Sequence, residues 1–232
     1  MKAMILAAGL GTRLKPFTDA HPKALYEVDG KTLLEHSLVH LKSAGISEVI
    51  INVHHFAGQI TGFLRQHENF GLNITVSDET GELLDTGGGV KNASWFFTGD
   101  ENTVIRNVDI LSDLDLVAME ALHRESHALA TLAVRDRKTS RYLLFDREMQ
   151  LCGWKNISTG GLKIARNTTG VSPFAFSGIQ VVSPEIFSWV TEQGRFPLMD
   201  VYLRLAAEQK IIGYRDEGRI WKDVGRITAD AG

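Results

Sequence analysis

Ala3-Met4-Ile5-Leu6-Ala7-Ala8 runs directly into Gly9-Leu10-Gly11-Thr12-Arg13, and Pro22-Lys23 follows further along. An apolar run of this length that stops at a glycine reads as a buried strand. Glycines just past a strand end let the backbone take φ > 0 and approach a ligand closely. The amides of such a loop converge on one spot, which suits a phosphate chain. Arg13 and Lys23 add two cations nearby. The competing reading is a glycine turn with no ligand, and G-x-G alone does not exclude it. Leu14 takes the third glycine position of G-x-G-x-x-G, so the dinucleotide fingerprint fails. Lys15 lies between Leu14 and Pro16, which excludes the P-loop pattern as well.

Working outward, Leu34, Leu38 and Leu41 predict a helix over Lys31–Ala44 that ends at Gly45. Glu48–Val53 reads as a strand, Phe56, Ile60, Phe63 and Leu64 as a helical face, and Leu72, Ile74 and Val76 as a further strand. This β-α-β-α-β order implies a parallel sheet covered by helices. The second glycine cluster, Thr86-Gly87-Gly88-Gly89, reads either as a backbone surface against a flat ring or as a flexible turn before a helix at Val90–Phe96. Its place after the third strand favours the ligand side, where sites of open α/β sheets gather. Thr103–Asn107 is another strand, and Asp109 just beyond it is placed to hold a metal bound to phosphates. Asp113 and Asp115 fit a helix start better.

From Ser140 the period changes. Tyr142–Phe145 and Met149–Trp154 read as a hairpin, and Asn156–Asn167 shows no periodicity. Phe174–Val182 is a strand whose internal Gly178 marks a close approach. Ser183-Pro184-Glu185 reads as a helix start with Ser183 as N-cap. A helix over about Leu198–Gln209 and a strand at Ile211–Tyr214 follow. Trp221-Lys222-Asp223 places a second acidic residue at the end of an apolar stretch.

At 232 residues, with 44% apolar and 23% charged, the chain suits one large α/β domain. A net charge of −3 carries no basic excess for nucleic acid. The single cysteine, Cys152, cannot form an internal disulfide and fits a reducing cytoplasm, as a packed hydrophobe rather than a nucleophile. The N-terminal apolar run is too short for a signal peptide, and nothing approaches a membrane span. The expectation is a cytoplasmic monomer or homodimer with neither nucleic acid nor membrane as partner. The histidines are scattered, His54-His55 included, and no Ser/His/Asp set is evident. The remaining kit of glycine loop, cations and two aspartates suits in-line displacement at phosphorus without a protein nucleophile.

Leu6-Ala7-Ala8-Gly9-Leu10-Gly11-Thr12-Arg13-Leu14 with Pro22-Lys23 resembles the signature of the sugar-phosphate nucleotidyltransferases. The resemblance extends over Leu84–Gly89, 103–109, Phe176–Ile179 and Trp221–Gly225, hence essentially the whole chain. It implies an α/β fold with a Rossmann-like mixed, mostly parallel sheet flanked by helices, and a small β-rich sugar-binding elaboration. A single domain over 1–232 would divide into a nucleotide-binding half, 1–135, and a sugar-phosphate-binding half, 136–232.

The implied reaction joins a nucleoside triphosphate (NTP) to a sugar 1-phosphate and releases pyrophosphate. The resemblance places Leu6, Ala8, Gly9, Gly11, Thr12, Arg13 and Lys23 around the triphosphate, with Arg13, Lys23 and Asp109 catalytic. Thr86, Gly87, Gly88 and Asn107 would contact the nucleoside. Asp109 and Asp223 would hold Mg²⁺. Trp154, Lys155, Asn156, Gly178 and Trp221 would meet the sugar phosphate. The Thr-Gly-Gly-Gly loop is similar to two branches: N-acetylmuramate 1-phosphate uridylyltransferases, and mannose or heptose 1-phosphate guanylyltransferases. The short length leans to the first. Val108 departs from the family pattern, which usually has a small residue before the metal aspartate. A non-catalytic nucleotide-sugar-binding module is the second reading, but it would be expected to lose Arg13, Lys23 or an aspartate, and all are present.

Overall fold

The opening apolar run forms β1 (Lys2–Leu6). Ala3 and Ile5 bury into one core, Met4 and Leu6 into another. A strand covered on both faces needs this unbroken hydrophobicity. The computed structural model describes residues 1–226; 227–232, the end of the second half, lie outside them. A small hairpin of β2 (Glu27–Val28) and β3 (Lys31–Thr32) follows the glycine loop. Thr32 then caps α1 (Leu33–Ser43), its hydroxyl accepting from the Glu35 amide at 3.0 Å. β4 (Glu48–Val53), α2 (Ala57–Gln66) and β5 (Asn73–Asp78) complete the β-α-β-α-β unit with parallel pairing.

The triple glycine corrects the sequence reading. It forms the middle of α3 (Asp85–Asn92) rather than a turn before a helix at Val90–Phe96. A Cβ on Gly87 would lie 2.4 Å from the Phe196 ring, and one on Gly88 2.4 Å from the Gly194 carbonyl oxygen. The Gly87 and Gly88 amides both donate to the Phe196 carbonyl. The close approach that glycine permits is therefore made to the chain itself.

β6 (Thr103–Asn107) pairs with β1, Leu6 opposite Asn107. The chain steps outward from β1 to β4 and β5, then returns to the other side of β1. Connections leaving β1 and β6 therefore diverge and open a crevice at their carboxyl ends. β7 (Ile110–Ser112) leads to α4 (Leu116–Glu125), capped by Asp115, which accepts from the Ala118 amide at 2.9 Å. Asp113 instead accepts from the Arg219 and Ile220 amides.

β8 (Ala130–Arg135) comes next, then the expected hairpin of β9 (Arg141–Phe145) and β10 (Leu151–Asn156). β11 (Leu162–Ile164) adds an edge strand within the stretch read as having no periodicity; at three residues it is too short to show a period, and Leu162 and Ile164 are both more than half exposed. β12 (Ser172–Val182) pairs antiparallel with β6, β8 and β9, and its register with β8 shifts between Phe176 and Gln180, around Gly178.

α5 (Ile186–Trp189) is one turn long, and Ser183 does not cap it. The Ser183 hydroxyl donates to the Ala128 carbonyl and meets His123 Nε2 at 2.9 Å instead. α6 (Leu198–Leu205) is shorter than predicted. β13 (Ile211–Arg215) runs parallel to β8, and β14 (Trp221–Asp223) pairs with β7, Asp223 opposite Ile110.

The result is an α/β protein around a 10-stranded mixed sheet, parallel through β5, β4, β1 and β6 and antiparallel from β12 through β9 and β10 to β11. α1, α2 and α4 contribute to the core on one face, α3, α5 and α6 to that on the other. Among the described residues no helix is long and apolar enough to cross a membrane.

Candidate active site

The loop after β1 is shaped by its glycines and by Lys23. Gly11 takes φ +61°, and a Cβ there would lie 2.8 Å from the Lys23 Cβ. The loop thus folds onto the Lys23 stem, while Thr12 and Arg13 stay exposed. Its start is pinned from behind: the Ala7 amide donates to Asn52 Oδ1 at 2.7 Å, and Asn52 Nδ2 donates to Glu79 Oε1 at 2.8 Å. Both side chains are buried. Burial pushes the Glu79 carboxyl above the usual carboxylate range, against the lowering effect of the Asn52 bond.

The charged groups meet at the end of β6. Lys23 Nζ donates to Asp109 Oδ2 at 2.9 Å. The point where a Gly225 Cβ would stand is 2.6 Å from Asp109 Oδ2, 3.3 Å from Asp223 Oδ1 and 3.4 Å from Arg13 Nη2. Two aspartates far apart in sequence, and one predicted arginine, therefore converge on one glycine. The Val224 amide closes the arrangement by donating to the Asp109 carbonyl at 2.9 Å. Val108 is fully buried in the core, so its bulk is absorbed there rather than in the site.

Beneath lies Arg106, which sequence reasoning missed; its one signal is a cation inside an apolar strand. It is fully buried, bonded through Nη1 to His40 Nδ1 at 2.8 Å and through Nη2 to the Ile110 carbonyl. Burial pushes its pKa down to about 10 while the Asp109 charge opposes, so it remains a cation at neutral pH.

Two cavities share this centre. The smaller, 250 Å³, is lined by Leu6, Ala8, Gly9, Lys23 and Thr86, with Asn52 and Arg195. The larger, 490 Å³, is lined by Arg13, Trp154, Gly178, Trp221 and Asp223, among others. Asn107 and Asp109 line both. Gly11 and Thr12, in the loop after β1, line neither cavity.

Four further expected residues take other positions. Gly87 and Gly88 line neither cavity, being packed beneath 194–196. Lys155 lines neither because strand alternation turns it away from Trp154 into solvent. Asn156 closes a local turn, its Oδ1 accepting from the Ser158 amide at 3.0 Å. Gly178 lines the larger cavity, but its φ of +83° and a Cβ position 2.6 Å from Ile110 Cγ1 show that its close approach is to β7.

The larger cavity also contains Arg137, Arg141 and Lys163, which carry no motif. Arg137 stacks 4.0 Å from the Trp221 ring centroid and donates to the Phe176 carbonyl at 2.9 Å. Cys152 is buried on β10, its thiol donating to the Gln150 carbonyl, and burial raises its pKa. That is a packing role.

Among the described residues no three His, Cys, Asp or Glu side chains gather as a metal site. Mg²⁺ needs only one or two carboxylates when phosphate oxygens supply the rest. Asp109 and Asp223 fit that requirement.

Residues 2–148 match the family described as Nucleotidyl transferase. An N-acetylmuramate alpha-1-phosphate uridylyltransferase of Caulobacter vibrioides is 33% identical, over 99% of this chain and 95% of that protein. A protein of the same description from Neisseria meningitidis is 31% identical, over 98% and 94%. A mannose-1-phosphate guanyltransferase of Yarrowia lipolytica is 28% identical over 97% of this chain but 61% of its own length. A UDP-glucose pyrophosphorylase from Acinetobacter baumanii superposes with a TM-score of 0.79 at 19% identity, over 97% of this chain and 88% of that one, which speaks for the fold. A family match over more than half of the residues, and relatives about one-third identical along nearly the whole length, show that the chain belongs to the sugar-phosphate nucleotidyltransferases.

Proposed function

We propose that this enzyme transfers the uridylyl group of UTP to N-acetylmuramate 1-phosphate, giving the nucleotide sugar and pyrophosphate. The observation that carries the reading is the pair of cavities meeting at Asn107 and Asp109. One suits a nucleotide and lies mainly against residues 1–135; the other suits a sugar phosphate and draws largely on 136–232. A shared wall brings two phosphorylated substrates together without a covalent enzyme intermediate.

In this reading the amides around Gly9, Gly11 and Thr12 hold the triphosphate, and Thr86 and Asn107 contact the nucleoside. Asp109 and Asp223 would hold Mg²⁺, which when bound neutralises phosphate charge and fixes the phosphates' geometry. The sugar-phosphate oxygen attacks the α-phosphorus, and the bond to the pyrophosphate oxygen breaks in line. A sugar phosphate is already ionised at neutral pH, so no general base is required. The barrier is repulsion between polyanions, which Arg13 and Lys23 lower while orienting the reactants.

The uridylyl branch is favoured over GTP with mannose or heptose 1-phosphate because the two uridylyltransferases above match along nearly their full length, the guanyltransferase over 61% of its own. The apolar part of the larger cavity, Leu143, Trp154 and Met199, also suits an N-acetyl group. Muramate is a cell-wall sugar, and the single buried thiol fits a cytoplasmic enzyme handling it, as monomer or homodimer. Pyrophosphate release across UTP, GTP, CTP and dTTP with a panel of sugar 1-phosphates tests the proposal. UTP with N-acetylmuramate 1-phosphate should be fastest. Preference for GTP with mannose or heptose 1-phosphate would move the enzyme to the other branch. Nucleotide binding without release from any pair would indicate a binding module.

A further inference from the structure

The larger cavity is uneven in charge. Near β6 it presents Asp109 and Asp223 with Arg13, the groups already assigned to the phosphates. From residues 136–232 it also presents Arg137, Arg141 and Lys163. Lys163 is taken up by Asp200, its Nζ bonding Asp200 Oδ1 at 2.6 Å. Arg141 has no ion-pair partner among the described residues. Arg137 is held against Trp221 by stacking, and its Nη2 and Nη1 donate to the Phe176 and Lys138 carbonyls at 2.9 and 3.5 Å.

The sheet sets the distance between the two ends. β9, which carries Arg141, pairs with Ser172–Phe174 of β12, whereas β6 pairs with Ile179–Val182. Phe174 and Ile179 are five steps apart along β12, about 3.3 Å each, so β9 joins β12 up to roughly 16 Å along that strand from the part beside β6, the strand that carries Asn107. A 1-phosphate beside Asp109 does not need guanidinium groups at that range. A sugar ring alone does not bridge the interval, but a substituent on its far side does. Leu143, Trp154 and Phe176 supply the apolar surface between.

We infer that Arg137 and Arg141 bind a carboxylate carried by the sugar on the side away from its 1-phosphate. The acceptor is then an acidic sugar 1-phosphate with two anionic ends; this rests on reading the larger cavity as the sugar-phosphate site. Guanidinium and carboxylate match in plane and charge, and a charged anchor at the far end sets which sugar places its phosphate correctly. The carboxylate has two chemical sources, the lactyl ether of a muramate or the oxidised C6 of a uronic acid.

The test compares kcat/KM for N-acetylmuramate 1-phosphate, its methyl ester, N-acetylglucosamine 1-phosphate (which lacks only the lactyl ether) and glucuronate 1-phosphate. The native enzyme should prefer an acid over its neutral counterpart. Arg141→Gln, at an exposed position that does not threaten folding, should lower the acid-to-neutral ratio about 10- to 100-fold, the worth of one charge-assisted hydrogen bond. The loss should fall mainly on KM, because the group is remote from the reacting phosphorus. Arg141→Lys should restore part of the ratio, and Arg137→Gln should lower it too.

A preference for glucuronate over muramate would support the carboxylate site and assign the acid to C6. Equal use of acid and neutral sugars, or a ratio unchanged in both Arg→Gln variants, would overturn the inference and leave nucleotidyl transfer standing. Failure of every sugar to release pyrophosphate would instead overturn the reading beneath it.

Discussion

Replacing Lys23 by methionine and Asp109 by asparagine, singly and together, separates what the pair does for folding from what it does for turnover. The two groups are 2.9 Å apart, with side chains only 13% and 12% exposed. Methionine keeps the stem against which Gly11 packs and removes only the charge. Either single change leaves a largely buried partner without this hydrogen bond, which costs about 1.5–3 kcal/mol for a hydrogen bond to a charged group. The double variant removes both charges, so its stability loss should be smaller than the sum of the singles by about 1–2 kcal/mol. Chemical denaturation reads that coupling.

Turnover should behave differently. Each single change should lower kcat about 10²–10³-fold, the usual cost of removing one group aimed at developing charge. The double variant should not recover, because in the proposed mechanism both groups also act at the phosphates. Pyrophosphate release at saturating Mg²⁺ reads this second quantity. Near-wild-type turnover of Asp109→Asn would refute the metal assignment. Recovery of turnover in the double variant would show that the pair serves folding alone.

Three further outcomes follow from the same geometry. His123 is buried, and burial pushes its pKa down to about 4 from 6.5. The folded state therefore favours the neutral ring; its contribution is present above about pH 6.5 and is lost as the pH falls toward 4, roughly 3 kcal/mol in all. His123→Gln should flatten the acid limb of stability against pH, and an unchanged limb would exclude His123 as its cause. Gly178→Ala should cost about 1–3 kcal/mol and lower turnover, since φ is +83° and the new Cβ would press on Ile110 beside Asp109; an unchanged melting temperature would contradict this. Chelation of divalent metal should stop pyrophosphate release but leave the melting curve nearly in place, because Lys23 already faces Asp109; unfolding on chelation would point to a structural metal.

Much of the site was legible because its signals are local. Gly9, Gly11 and Arg13 follow a strand that announces itself by an unbroken apolar run, and Asp109 follows another. Thr86, Trp154 and Trp221 also reached the cavities the sequence reading expected. Lys155 did not, because one step along a strand reverses the face, and the stretch after it has no alternation from which to read the phase. The triple glycine carried a true signal of close approach with the wrong partner attached: 194–196 sits where a ligand was expected.

The sequence by itself determined the family, the order of strands and helices through the first half, and the loop and two aspartates of the candidate site. Each depends on residues near one another in the chain, where apolar period, glycine and charge act on the same short segment. Only the tertiary structure decided that Asp109 and Asp223 share one glycine's surroundings, that Arg106 lies buried beneath them, and that Arg137, Arg141 and Lys163 face a common cavity. Those relations arise from antiparallel pairing around β12 and from the return of β14 to β7. Pairing between distant segments leaves no periodic mark in either of them.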